Sequence, residues 1–218
     1  GDTFVKIGVG VLRRPDAAAY SGYAHYEIVD SGTWTVTPGA DRVVFTQEVT
    51  DPASGYGYRY RKTVRLTSGT PELVIEHSLT NIGRLPIQAA QYNHNFLTLD
   101  RAATGRDIRI TLPFAIQTTD PPDPAFAEIR GHQIFYTKDL VGQDRVTFPI
   151  TGYGPTASDY DVTVENTATG AGYRVTSDRP IARLALWSIR SVISMEPFVD
   201  VTTATGATTD WTLTYHYF

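Results

Sequence analysis

The sequence predicts an all-β protein, a long antiparallel series arranged as a sandwich or a barrel. Three observations carry this. Apolar and β-branched residues alternate with polar ones at period two along much of the chain. Turn residues punctuate the runs at short intervals. Helical periodicity is almost absent, and only Asp16–Tyr20 and Pro124–Ile129 could each form a turn or two of helix.

Each element follows from its own residues. Asp41–Val49 comes after the turn signal Thr37-Pro38-Gly39-Ala40 and has the β-branched content of a strand. Tyr58–Leu66 alternates fully, with Tyr58, Tyr60, Lys62, Val64 and Leu66 on one face and Arg59, Arg61, Thr63 and Arg65 on the other. The first face is expected to be buried and the second solvated, because a strand's side chains alternate sides. Thr67-Ser68-Gly69-Thr70 turns the chain into Glu72–Thr80, which stops at Asn81-Ile82-Gly83. Asp107–Leu112 is the next strand. Asp120-Pro121-Pro122-Asp123-Pro124 is an irregular surface loop, since successive prolines forbid a ladder. Asp144–Phe148 and Asp159–Asn166 follow. Val162 and Val164 pair with Tyr173 and Val175 as a hairpin through Thr167-Ala168-Thr169-Gly170. Arg183–Ser194 is a mostly apolar run, and Trp211–Phe218 ends the chain after Thr205-Gly206. No internal repeat, linker or low-complexity segment stands out, so residues 1–218 read as a single β-sandwich domain.

Composition narrows the function. The net charge is -4, which gives no basic footprint for nucleic acid. No Lys/Arg cluster points to an anionic membrane surface, and no apolar run is long enough for a spanning helix. There is no cysteine, hence no disulfide framework, thiolate metal site or cysteine nucleophile. That absence leaves a periplasmic, secreted or cytoplasmic location equally open. The chain opens at Gly1-Asp2-Thr3 without a visible signal peptide, which is compatible with a processed or truncated start.

Two segments carry most of the available chemistry. Gln91-Tyr92-Asn93-His94-Asn95-Phe96 is a strand-like run in which Tyr92, His94 and Phe96 share one face and the polar amides the other. A strand polar on both sides lines a cleft more often than a core, although a lone histidine is commonly structural. Ser194-Met195-Glu196-Pro197-Phe198 puts one carboxylate at the end of an apolar run, and Pro197 favours a strand end there. A salt bridge from Glu196 to Arg183 or Arg190 is an equally good local reading. On separate strands of one sheet, His94 and Glu196 would make an acid/base pair.

Other signals are weaker. Lys62, on the apolar face of its strand, must reach water, a carboxylate or a ligand. A snorkelling lysine at a sheet edge is the plainer account. His77 has no second histidine at metal spacing, so no metal site is expected. His25, His132 and His216 read as structural or solvated. Gly8-Val9-Gly10 lacks the third glycine and the helix of a dinucleotide fingerprint, and there is no nucleophile elbow or phosphate loop. Thirteen tyrosines suit sugar stacking, but suit β cores equally.

Leu79–Gly83, Tyr92–Phe96, Leu186-Trp187-Ser188, Met195-Glu196-Pro197, Gly206–Trp211 and Tyr215 resemble, in order, elements of the galactose mutarotase-like (aldose 1-epimerase) superfamily. These elements are an Asn-His-x-Tyr-Phe strand, a Val-Trp-x strand, a Cys-x-Glu-Pro-like segment and a final Pro-Gly-x…Trp…Tyr strand. The resemblance covers roughly residues 60–218, and the family's upstream His-Gly-Gly segment has no counterpart here. It implies an antiparallel β-supersandwich with little helix, whose concave sheet holds a sugar. It also implies that the chain is either the C-terminal major part of a longer family domain or a divergent member of the family. The edge so exposed would pair with a second chain or an N-terminal segment. By the same resemblance His94 is the general acid at the ring oxygen and Glu196 the general base at the anomeric hydroxyl. The two should face one another across a sugar-sized gap. Asn93, Lys62, Tyr92, Trp187 and Arg190 are the candidate sugar-binding residues, with Lys62 expected to point toward His94. No cofactor is needed for this chemistry.

Three functions therefore compete. The first is an aldose 1-epimerase-like isomerase acting on a sugar or oligosaccharide. The second is a non-catalytic carbohydrate-binding domain, since a fold does not fix a function. The third is a polysaccharide lyase or glycoside-processing enzyme using Tyr92, Asn93 and His94, with Lys62 or Arg190 neutralising a uronate.

Overall fold

The computed structural model describes residues 2–22 and 24–218. Its first strands are Thr3–Lys6 (β1), Gly10–Arg13 (β2), Glu27–Asp30 (β3), Thr33–Pro38 (β4), Arg42–Thr50 (β5), Gly57–Leu66 (β6), Glu72–Asn81 (β7) and Ile87–Gln91 (β8). Then come Ile108–Thr111 (β9), Ala127–Arg130 (β10), Gln133–Tyr136 (β11), Arg145–Ile150 (β12), Asp161–Asn166 (β13), Ala171–Ser177 (β14), Arg183–Ile189 (β15), Val192–Thr203 (β16) and Thr208–Tyr217 (β17). The helical content of the described residues is one 3-10 turn, Ala157–Asp159. The protein is thus all-β, as its period-two alternation requires.

The strands gather into two compact units, one of Gly1–Ser68, Val74–Ala89 and Val201–Trp211, the other of Gly69–Leu73, Ala90–Asp200 and Thr212–Phe218. Within the first, β1, β2 and β3 form a small antiparallel sheet, and β4, β5 and β6 form consecutive hairpins with β7 beyond β6. Tyr58, Tyr60, Val74, Leu79 and Trp211 are buried there. The Tyr58 hydroxyl donates to Gln47 Oε1 at 2.5 Å, so the fully buried amide is satisfied rather than stranded. The expected burial of the even face of β6 holds for Tyr58 and Tyr60 but fades outward. Leu66 is exposed and Thr63, from the other face, is buried. β3 and β4 are exposed along their whole length.

The second unit is a sandwich. One layer runs β10-β11-β9-β13-β14 and the part of β17 from Thr212, the other β12-β15 and β16 as far as Asp200, with Ala90-Gln91 of β8 beside it. Ile110, Ile134, Val162, Val164, Tyr173, Val175 and Tyr215 are buried on the first layer, and Val146, Phe148, Leu184, Leu186, Ile193 and Met195 on the second. Two buried hydroxyls tie the layers. Tyr136 Oη and Ser188 Oγ are 2.7 Å apart, and the Tyr160 hydroxyl donates to the Pro197 carbonyl at 3.2 Å. Each fully buried leucine contributes roughly 1.5–3 kcal/mol by leaving water.

Several elements differ from the sequence reading. Pro124–Ile129 is not helical. A turn leads into β10, where Ala127 and Ile129 alternate with Glu128 and Arg130 and pair with β11. Asp16–Tyr20 contains bends but no helix. Arg183–Ser194 is two strands, because Arg190-Ser191 closes a tight hairpin between Ile189 and Val192. That turn uses no positive φ, so no glycine marks it in the sequence. The Thr167–Gly170 hairpin is as expected, with Gly170 at φ 77° in the left-handed region.

Candidate functional site

The outward face of β15 and β16 is set by their register. Arg183 pairs with Phe198, Ala185 with Glu196 and Trp187 with Ser194. These residues share the side opposite the buried Leu184, Leu186, Ile193 and Met195. Glu196 is therefore not at a strand end. Pro197 stands inside β16, opposite Leu184, and its carbonyl is taken by Tyr160.

The neighbouring segment explains how a proline is tolerated there. β8 ends at Gln91, and Tyr92–Phe96 is irregular before Leu97 bridges Ile193. Continuing that antiparallel register places Asn93 opposite Pro197 and His94 opposite Glu196. Proline offers no N–H, so the ladder lapses at this point. The freed segment folds on itself: the Asn95 N–H donates to the Asn93 carbonyl at 2.9 Å, a three-residue turn with His94 at its apex. Asn95 points the other way, its amide donating to the buried Tyr215 hydroxyl at 2.7 Å. That bond anchors the segment to the core.

His94 Nε2 lies 3.2 Å from Glu196 Oε1, and Nδ1 lies 3.1 Å from Ser194 Oγ. The expected sugar-sized gap is therefore closed, because residues directly opposite on adjacent strands bring their side chains within contact. The two differ in access to water. The His94 side chain is 38% exposed, that of Glu196 only 15%. Burial raises the Glu196 carboxyl above its ordinary range, while the nearby charges of His94 and Arg183 draw it back. Ser194 is fully buried and holds the imidazole from behind.

Aromatic rings surround the pair. Phe96 lies 4.3 Å from the His94 ring, Tyr92 5.5 Å and Trp187 6.0 Å. Tyr92 also leans on Phe198 at 4.1 Å, and the Arg183 guanidinium lies 3.7 Å from the Phe198 ring centre. The structure thus gathers His94, Glu196, Tyr92 and Trp187, four of the residues singled out from the sequence. Asn93 is turned to its own segment, where its Oδ1 accepts from Gln91 Nε2 at 3.1 Å. Arg190 occupies the exposed β15–β16 turn, its carbonyl accepting from the Thr104 N–H. Lys62 stands on β6, 5.9 Å from the Tyr60 ring, where its charge acts on His77. Glu196 is within ion-pair distance of neither Arg183 nor Arg190, the two local partners read from the sequence, and its close contact is with His94.

Three contributors were not singled out from the sequence: Ser194, Phe198 and Arg183 as a member of the face. Their signal was available as spacing. Ser194 and Phe198 stand two residues to either side of Glu196, hence on its side of the strand. Among the described residues no cluster of His, Cys, Asp and Glu could hold a metal ion.

No family model and no curated protein matches the chain. Solved structures do. A Lactobacillus acidophilus galactose mutarotase related enzyme is 12% identical with a TM-score of 0.62, over 86% of this chain and 72% of that one. A galactose mutarotase-like protein from Clostridium acetobutylicum is 11% identical with a TM-score of 0.59, over 99% and 75%. The Slr1438 protein of Synechocystis sp. PCC 6803 is 11% identical with a TM-score of 0.58, and the match covers 84% of this chain and 65% of that protein's length. At these identities the likeness concerns the fold, which is the galactose mutarotase-like β-sandwich.

Proposed function

We propose that this face binds an aldose and interconverts its anomers, with His94 as general acid and Glu196 as general base. The observation that carries the reading is the 3.2 Å contact of His94 Nε2 with Glu196 Oε1 on a face flanked by aromatic rings. Anomer exchange needs two proton transfers on atoms of one carbon, the anomeric hydroxyl and the ring oxygen. An acid and a base held side by side suit that geometry.

The carboxylate takes the hydroxyl proton as the bond from C1 to the ring oxygen breaks, and the imidazolium gives a proton to that oxygen. Rotation about C1–C2 exposes the other aldehyde face, and closure returns both protons. Burial makes Glu196 a stronger base than a solvated carboxylate. Ser194 can accept from Nδ1–H of the imidazolium or donate to neutral Nδ1, so it supports both protonation states. The sugar must part the resting pair, replacing one contact by two.

That same closed contact favours a second reading, a carbohydrate-binding face in which each group satisfies the other and no turnover occurs. Anomeric exchange of glucose and galactose measured by NMR, beside their affinities, separates the two. Acceleration by the wild type that falls about 10²–10⁴-fold in Glu196→Gln, with affinity retained, supports catalysis. Binding without acceleration supports the second reading. Absence of both refutes the pair of them.

A further inference from the structure

We infer that the sugar taken by this face is a hexuronate, and that Arg183 recognises its C6 carboxylate; this rests on the sugar-site reading above. Some arginines of the chain are engaged by carboxylates, among them Arg13 by Glu27, Arg59 by Glu48 and Arg174 by Asp161, whereas Arg183, like Arg61, Arg84 and Arg190, has no such partner among the described residues. Glu196 instead contacts His94, and Asp200, further along the same face, is not paired with it either. The guanidinium is held all the same, 3.7 Å from the Phe198 ring centre. A guanidinium packed on a ring keeps its N–H edge available, and that rigid fork matches a planar carboxylate better than any ammonium does.

Position supplies the rest. Arg183 stands opposite Phe198, and Ala185, the next residue on that side of β15, stands opposite Glu196. One step along the face is two residues of strand, about 7 Å. That is the scale of a pyranose measured from its anomeric hydroxyl to the group on C6. A sugar with C1 at Glu196 and its ring along the strand therefore brings C6 to the guanidinium. A neutral hydroxymethyl group offers the fork a single neutral oxygen, whereas a carboxylate makes two charge-assisted hydrogen bonds there.

The test is titration calorimetry on the full chain with glucuronate, glucose and glucose 6-phosphate, for wild type, Arg183→Gln and Arg183→Lys. Wild type should bind glucuronate about 10- to 100-fold more tightly than glucose, the equivalent of a charged hydrogen bond or two. In Arg183→Gln that ratio should collapse toward one while glucose affinity holds. Arg183→Lys, with the charge but not the fork, should keep part of it. A merely structural arginine would weaken both sugars alike and leave the ratio unmoved. An unchanged ratio, equal affinities in the wild type, or a preference for glucose 6-phosphate over glucuronate would overturn the assignment. If no sugar binds, the parent reading falls with it; if glucose alone binds, only the uronate assignment falls.

Discussion

Two histidines stand among aromatic rings, one in each unit, and they have been made into opposite things. His77 lies 4.7 Å from Trp211 with the rings nearly parallel, and its Nδ1 is 2.6 Å from the Tyr60 hydroxyl. It is buried, and burial together with the charge of Lys62 pushes its pKa down to about 3. His94 is tilted against its rings, open to solvent, and set against a carboxylate. Ring neighbours do not make the difference, since both have them. Access to water and the sign of the nearest charge do. The chain order points the wrong way: His77 follows Glu76 directly, yet Glu76 turns to Arg65, while the carboxylate that reaches His94 is Glu196, far along the sequence.

The strongest test of the contrast removes that carboxylate. Glu196→Gln should lower anomeric exchange by about 10²–10⁴-fold. It should not lower thermal stability at neutral pH, and here the sign matters. A carboxyl whose folded pKa lies above its ordinary value adds stability below that ordinary value and loses it as pH rises through the folded one. Above it the wild type carries the burial penalty and glutamine does not. Denaturation at neutral and at acid pH should therefore show the variant at least as stable as wild type at neutrality, with its relative advantage gone in acid. A large loss of stability at neutral pH would make Glu196 a structural residue like His77.

The second test concerns acid. A histidine held at about 3 stabilises the fold fully above its ordinary value of 6.5. Below that value the unfolded chain takes a proton that the native one refuses. Each pH unit then removes up to about 1.4 kcal/mol until the folded value is reached. His77→Phe, which keeps the ring and cannot titrate, should flatten that dependence in urea unfolding between pH 6.5 and 4, with exchange rates near those of wild type. Loss of activity in this variant would erase the distinction.

A smaller effect sharpens the account of His94. Ser194→Ala removes the Nδ1 partner and should slow exchange about three- to tenfold, the worth of one hydrogen bond of about 1 kcal/mol. The smallest concerns Lys62. Replacing it with methionine removes a positive charge near His77, so the pKa of that histidine, followed by NMR, should rise. Sugar affinity should stay as it is if Lys62 serves only His77, and a weakened affinity would return it to the sugar site.

Alternation in the sequence foretold an all-β chain, sandwich or barrel, the hairpin of β13 and β14, and the placing of Tyr92, His94 and Phe96 together. It could not show the hairpin at Arg190-Ser191, which needs no glycine, nor that Pro197 would sit within a strand rather than end it. The latter depends on what lies beside β16, and pairing partners are not written in local period. Lys62 illustrates the same blindness. Its face of β6 was legible, but not that its neighbours would be Tyr60 and His77.

The lapse of the ladder at Tyr92–Phe96 has a bearing on how such a site can change over time. These residues share few backbone bonds with the sheet, and the segment is pinned at its ends by the Leu97–Ile193 bridge and through Asn95. Side chains between the pins can be exchanged without unzipping β16. Selection can therefore rewrite the side chains here at little risk to the scaffold. A fold shared with other proteins at 11–12% identity is what such a separation of labour would leave behind.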